Sequence, residues 1–294
     1  MPIIIDGKFV SNQIKNELKD KTKKLFLESK IIPGLALLLV GDDPASKIYV
    51  SSKEKACAEI GFKSIVKRVP AETSESDVLK QIDEWNEDSS IHGILVQAPL
   101  PKHIDSNKVI MRIRPDKDVD GFHPENMGRL VIGMPGFLSC TPAGIMELLK
   151  RYEISIQGKH AVVLGRSNIV GKPIANLLYQ KNKFANSVVT ICHTGTKDFG
   201  YFTKQADILI AAMGVPELIK AEHIKEGAII IDVGINRIED SSSSKGYRLT
   251  GDVDFKSVYD KVQAITPVPG GVGPMTIAML LQNTYFSAAG IIKF

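Results

Sequence analysis

At 294 residues and 44% hydrophobic content the chain is long enough for two domains of ordinary size, each with its own buried core. Its 37 Lys and Arg are interspersed among 33 Asp and Glu, and a scattered surplus of +4 excludes the basic footprint of a nucleic-acid binder. Three widely separated cysteines, Cys57, Cys140 and Cys192, offer neither a disulfide framework nor a C-x-x-C metal site, and they suit a reducing cytoplasm. The N-terminal residues show no basic segment followed by a long apolar one, and no apolar run approaches the ~18 residues of a membrane span, so a soluble, untargeted, cytoplasmic protein is expected.

In chain order, residues 11–29 read as a Lys- and Glu-rich helix, and the run Gly34-Leu35-Ala36-Leu37-Leu38-Leu39-Val40 as a buried strand ending at Gly41-Asp42-Asp43-Pro44. Helical spacing resumes over 46–60, with Gly61 as its stop signal. On that helix Tyr49 and Lys53 stand four apart and share a face. For this spacing alone, a solvated face carrying Lys47, Lys53 and Lys55 is the plainer reading. Short-chain dehydrogenases use the same Y-x-x-x-K spacing, but their nucleotide turn precedes the pair, whereas the turn described below follows it.

A strand over 64–69, a helix over 74–86 and a strand over 92–97 come next, implying parallel pairing. Trp85 is assigned to the core. Gln97 falls at the carboxyl end of the third strand, where open α/β sheets gather ligands, although a glutamine there also satisfies loop backbone. The segment Asp116-Lys117-Asp118-Val119-Asp120-Gly121 has D-x-D-x-D spacing. No closing Glu follows and Lys117 lies inside the cluster, so no metal is assigned and loop capping is the plainer reading.

Thr141-Pro142 reads as the cap and first turn of a helix. An apolar run over 161–164 then breaks at Gly165-Arg166-Ser167, and Gly171 opens a helical pattern through Leu178, giving strand, turn and helix. Such a turn lets backbone approach a diphosphate, with a helix N-terminus behind it. The full G-x-G-x-x-G fingerprint is absent, so on spacing alone dinucleotide binding and an ordinary strand–helix turn both stay open. Strands over 188–192, 207–212 and 228–233 complete a doubly wound sheet, and 241–246 reads as a polar loop. At the end of the strand over 188–192 His193-Thr194-Gly195-Thr196 replaces the carboxylate that would bind an NAD ribose. With Arg166 nearby, the site suits the 2′-phosphate of NADP. The proline- and glycine-rich segment 266–276 forms a shaped loop before an apolar helix expected to pack back onto the first domain.

Taken together, Gly41 to Ser46 with Tyr49 and Lys53, Val96-Gln97-Ala98-Pro99-Leu100-Pro101, Lys117 to Phe122, Gly165 to Pro173 and Pro267 to Thr276 resemble the bifunctional methylenetetrahydrofolate dehydrogenase/cyclohydrolase family of FolD type. Thr194 stands where many relatives carry Ser, and Ala98 where many carry a larger apolar residue. The resemblance implies two α/β domains with a cleft between them. Residues 1–140, completed by 276–294, would bind folate, and 141–275 would form a Rossmann-type NADP domain. It further implies NADP-dependent oxidation of 5,10-methylenetetrahydrofolate, hydrolysis of the methenyl product to 10-formyltetrahydrofolate, and a homodimer. Lys53, Gln97, Tyr49 and Asp120 become the expected catalytic set. Tyr49, Gln97, Asp120, Gly273 and Pro274 are expected against the folate, and Gly165, Arg166, Ser167, Gly171, Thr194 and Ile235 against the cofactor. Two other readings compete: a nucleotide-binding sensor without chemistry, and a dehydrogenase of small hydroxy or amino acids.

Overall fold

A computed structural model describes residues 1–240 and 246–294, so all but Gly246 of the polar loop expected over 241–246 lies outside the described residues. The first half of the chain runs β1 (Ile3–Ile4), α1 (Gly7–Ser29), β2 (Gly34–Val40), α2 (Pro44–Ile60), β3 (Lys63–Val69), α3 (Glu75–Glu87), β4 (Gly93–Val96), α4 (Ser106–Arg112) and α5 (Pro124–Ile132). It continues through α6 (Cys140–Arg151), β5 (His160–Leu164), α7 (Gly171–Tyr179), β6 (Val188–Cys192), α8 (Phe199–Thr203), β7 (Ile208–Ala211), β8 (Ile229–Asp232), β9 (Asn236–Glu239), β10 (Tyr247–Thr250), α9 (Phe255–Val258), β11 (Ala264–Ile265) and α10 (Val272–Ala288).

These elements divide into two compact units, one comprising Asn12–Cys140 with Ile277–Phe294 and the other Met1–Ser11 with Thr141–Thr276. In the first unit β2 is the central strand of a parallel sheet ordered β3-β2-β4, with Leu37 paired to both Val66 and Leu95. All seven β2 residues are buried, which is why the sequence shows an unbroken apolar run there and no alternation. Ala36 and Leu38 pack with Ile82 and Trp85 of α3. The α2 boundaries follow local chemistry: Asp43 accepts the Ser46 amide at 2.7 Å, Pro44 occupies the first turn, and Gly61 closes the helix at φ +82°.

The segment around Asp116 to Asp120 is tied down by its own side chains. Buried Lys117 donates from Nζ to the carbonyls of Trp85, Asn86 and Asp88 at 2.9, 2.7 and 2.8 Å, capping the end of α3. Asp116 pairs with Arg114 through both carboxylate oxygens, and Asp118 accepts the His123 amide and Asn126 Nδ2 at 2.7 and 2.9 Å. Helix α10 contributes to the same unit: Asn283 donates to the carbonyls of Val119 and Leu138, and Ser287 to that of Asp116.

The second unit holds a parallel six-stranded sheet ordered β1-β11-β8-β7-β5-β6. Strand order reverses at β5, which has β6 on one side and β7 on the other. That switch point is where open α/β sheets bind ligands. The structure corrects the expected domain limits at the N-terminus. Ile3 and Ile4 pair with Ala264 and Ile265, and the Lys8 amide reaches Gly270 O at 2.9 Å, so the first eleven residues group with the nucleotide-type unit. A second difference concerns Thr141, which lies inside α6 with its hydroxyl 2.9 Å from that of Thr276, where a cap at the helix start was expected.

Candidate functional site

In the first unit α2, the end of β4 and the Asp120 turn converge. Lys53 and Tyr49 lie one turn apart on α2; Lys53 is half-buried and Tyr49 exposed. The Gln97 amide bonds Leu38 O at 2.8 Å, which holds its backbone at the edge of the sheet. From there Gln97 Oε1 accepts Lys53 Nζ at 2.9 Å, while its Nε2 donates to Ala98 O at 2.6 Å. The glutamine thus satisfies loop backbone and holds the lysine at once.

Asp120 occupies a tight turn whose next residue, Gly121, sits at φ +72° with Ser139 N only 2.6 Å from where a Cβ would stand. Burial raises the Asp120 pKa and the nearby Lys53 charge opposes the rise. Reciprocally, burial lowers the Lys53 pKa and Asp120 opposes the fall. Cys140 completes the group. Its thiol donates to Val119 O at 3.3 Å, and burial, followed by the Asp120 charge, pushes its pKa well above the ordinary thiol range. Sequence reasoning had treated Cys140 only as an unpaired cysteine and had passed over Asn283. The one available signal was the nearness of Cys140 to the Thr141-Pro142 helix start. The cluster therefore contains a lysine displaced toward its neutral form, an amide that orients it, and a half-buried carboxylate.

In the second unit a cavity of about 490 Å³ opens at the switch point, a size usual for small-molecule sites. Leu164, Cys192, Ala212 and Met213 give it apolar walls, and Arg166, Ser167, His193 and Thr194 line its polar side. Gly165, at φ +119°, lets the β5 turn lie against the next strand's exit, since a Cβ would come 2.3 Å from Ala212 O. Gly171 packs as closely, with Gly165 O at 2.3 Å from a Cβ position.

The helix N-terminus differs from expectation. Ser167 Oγ accepts the amides of Val170 and Gly171 at 3.1 and 3.3 Å, Ser167 O accepts that of Lys172, and Pro173 has no N–H. The first turn of α7 therefore offers its dipole but no free donor, and anion binding falls to the preceding loop and to Arg166. Arg166 is exposed and has no ion-pair partner among the described residues. No Asp or Glu lines the cavity among the described residues. A dinucleotide carrying a 2′-phosphate fits this donor set. Ile235 is exposed and faces Gly273, a Cβ on which would lie 3.4 Å from Ile235 Cδ1. Pro274 O accepts the Ser11 hydroxyl at 3.0 Å. Gly273 and Pro274 thus belong to this unit with Ile235, whereas Tyr49, Lys53, Gln97 and Asp120 belong to the first.

Residues 5–120 match the family described as tetrahydrofolate dehydrogenase/cyclohydrolase, catalytic domain, and residues 139–291 its NAD(P)-binding domain. A bifunctional protein FolD of Chloroherpeton thalassium is 57% identical over 284 residues, covering 96% of this chain and 97% of that one. The FolD methylenetetrahydrofolate dehydrogenase/cyclohydrolase structure from Campylobacter jejuni shares 49% identity and superposes with a TM-score of 0.93, covering 99% of this chain and all of its own (100%). A Trypanosoma brucei FolD solved with NADP cofactor and an inhibitor shares 38% identity at a TM-score of 0.92, covering 99% of this chain and 98% of that one. Two matched domains and near-complete coverage by close relatives establish that this chain belongs to the tetrahydrofolate dehydrogenase/cyclohydrolase family.

Proposed function

We propose that the chain oxidises 5,10-methylenetetrahydrofolate with NADP and hydrolyses the resulting 5,10-methenyltetrahydrofolate to 10-formyltetrahydrofolate. The observation that carries this reading is the Lys53–Gln97 contact at 2.9 Å, with Lys53 held below the ordinary lysine pKa range by burial beside Asp120.

The bound nicotinamide supplies the hydride acceptor, so the chain's own task in the first step is positioning. Asp120 grips the N–H donors of the pterin's amino-pyrimidine edge, and Tyr49 lies against the folate rings. Gly273 and Pro274 present a small-residue wall, Gly165, Arg166, Ser167, Thr194 and Ile235 hold the dinucleotide, with Arg166 on its 2′-phosphate, and Gly171 serves the cofactor by letting the turn pack closely behind it. In the second step water adds to the cationic carbon between the two nitrogens. Neutral Lys53 takes a proton from that water while Gln97 keeps the amine in place; N5 then takes the proton from Lys53 as the carbon–N5 bond breaks, the hydroxyl on the carbon gives up its proton to solvent, and the formyl group stays on N10.

Residues 12–140 with the C-terminal helix form the folate-binding domain in this reading, and the sheet unit forms the NADP domain. The protein acts as a cytoplasmic homodimer with tetrahydrofolate substrates and no nucleic-acid or membrane partner. No helix of the described residues is long and apolar enough to cross a membrane. The test is to supply methylenetetrahydrofolate and NADP and to follow NADPH and the methenyl compound by absorbance. NADP binding without turnover of any folate would favour a sensor, and turnover of small hydroxy or amino acids alone would favour the other dehydrogenase class.

A further inference from the structure

Two buried carboxylates of the second unit, Asp232 and Asp252, have no part in the chemistry above; they are 3% and 0% exposed. Asp252 Oδ2 accepts the amides of Met213 and Gly214 at 2.6 and 2.9 Å, and its Oδ1 accepts Asn236 Nδ2 at 2.9 Å. Asp232 Oδ1 accepts the amides of Gly234 and Asp252, each at 3.0 Å, and Oδ2 accepts that of Val253 at 3.0 Å. The backbone is cut to fit: a Cβ at Gly234 would stand 2.2 Å from Asp252 Oδ1, and one at Gly251 would stand 1.8 Å from Asp232 Oδ2. Met213 lines the cavity, and Gly234 and Asn236 flank Ile235. The two carboxylates therefore join the segment after β7 to the segment after β8, the two backbone stretches that this unit presents beside the dinucleotide.

We propose that Asp252 is a positioning residue for the dinucleotide, fixing the Met213–Gly214 backbone and, through Asn236, the Ile235 turn, with Asp232 holding the Asp252 segment in place. The inference rests on the dehydrogenase reading above. Loops pinned by charge-assisted bonds are pre-organised, so affinity does not pay their ordering cost on binding. Lys53, Gln97 and Asp120 belong to the other unit and are partners in none of the hydrogen bonds named here.

The experiment compares Asp252→Ala and Asp252→Asn with the wild type. Three readouts are taken: the KM for NADP in methylenetetrahydrofolate oxidation, NADPH binding followed by nucleotide fluorescence, and hydrolysis of methenyltetrahydrofolate without nucleotide. Asp252→Ala removes acceptors from three donors and should raise both the KM and the NADPH dissociation constant by about tenfold or more, as expected when one charged hydrogen bond is forfeited. Hydrolysis should stay within about twofold of wild type. Asp252→Asn keeps the shape and can still accept from Met213 and Gly214 if Asn236 turns its amide. It should recover most of the loss but remain roughly threefold weaker than wild type, because the acceptor is now neutral.

Wild-type nucleotide affinity in the Ala variant would overturn the proposal. So would a parallel fall of hydrolysis and oxidation, which marks a merely structural carboxylate. Where the Ala variant does not fold, unchanged NADPH affinity in the Asn variant has the same force. A wild type that never turns over methylenetetrahydrofolate defeats the functional reading itself, and the NADPH binding comparison then still decides the role of Asp252.

Discussion

Replacing Lys53 with methionine removes the one amine held at 2.9 Å from Gln97 Oε1 while keeping most of the side chain's length and bulk. A positioned general base contributes roughly 10²–10⁴ in rate, or about 3–5 kcal/mol of barrier at about 1.4 kcal/mol per decade, so methenyltetrahydrofolate hydrolysis should fall by that factor. Oxidation needs no proton acceptor and should fall much less, so the methenyl compound accumulates. The pH dependence has a definite sign. Burial lowers the Lys53 pKa and Asp120 opposes that fall, so the wild-type hydrolysis rate should rise with pH through a value below the ordinary lysine range. Asp120→Asn should depress both activities through the shared pterin, and it also removes the opposing charge, which moves the rising limb of the surviving hydrolysis to lower pH. The assay follows NADPH formation and methenyl decay separately across a pH series. A Lys53→Met protein that hydrolyses the methenyl compound at the wild-type rate would remove Lys53 from the chemistry.

Arg166→Ala should narrow the preference for NADP over NAD by about tenfold, the scale of one charged contact to a 2′-phosphate, in kcat/KM measured with each cofactor. Lys117→Met leaves three carbonyls at the end of α3 without their shared donor. Set against the relief of no longer burying an ammonium, the net loss should be roughly 3 kcal/mol, or roughly 6–12 °C in thermal unfolding followed by circular dichroism; a midpoint within about 2 °C of wild type would contradict it. Burial lifts the Asp118 carboxyl to about 7, so its folded-state pKa lies above the unfolded one. The folded protein then binds the extra proton, and stability is full at the acid end and declines as pH rises between about 4 and 7. Asp118→Asn can keep both bonds now made to Oδ2, and its melting temperature should decline less over that range than the wild type's; parallel wild-type and variant curves would refute the assignment.

The sequence was most legible where one physical signal dominated. An unbroken apolar run located β2, and Gly61 located the end of α2, whose start at Pro44 lies ahead of the expected residue 46. The strands over 188–192, 207–212 and 228–233 were equally plain, each being apolar and bounded by polar or turn residues. The two-residue strands β1 and β11 are too short to carry a period, and their pairing depends on distant chain, so the first eleven residues were placed with the wrong unit. Loop capping was the plainer reading of Asp116 to Asp120, but that Lys117 is the cap of α3 depends on where Trp85 and Asp88 come to rest, which no local pattern records. Asp232 and Asp252 were passed over for a similar reason. Each looks like an ordinary strand-end acid until Gly234 and Gly251 are seen making room for the other's carboxylate.

The pairing of β1 with β11 bears on the order in which the chain can acquire its structure. Ile3 and Ile4 are made long before their partners Ala264 and Ile265. The carbonyls of Val119 and Leu138 likewise wait for Asn283. Each unit is thus closed by sequence from the far end of the chain, and such non-local closure is intrinsically slow. Cutting the chain at residue 140 would separate both units from the strand or helix that completes them, leaving one piece without Asn283 and the other without its edge strand, so neither half is a self-sufficient folding unit.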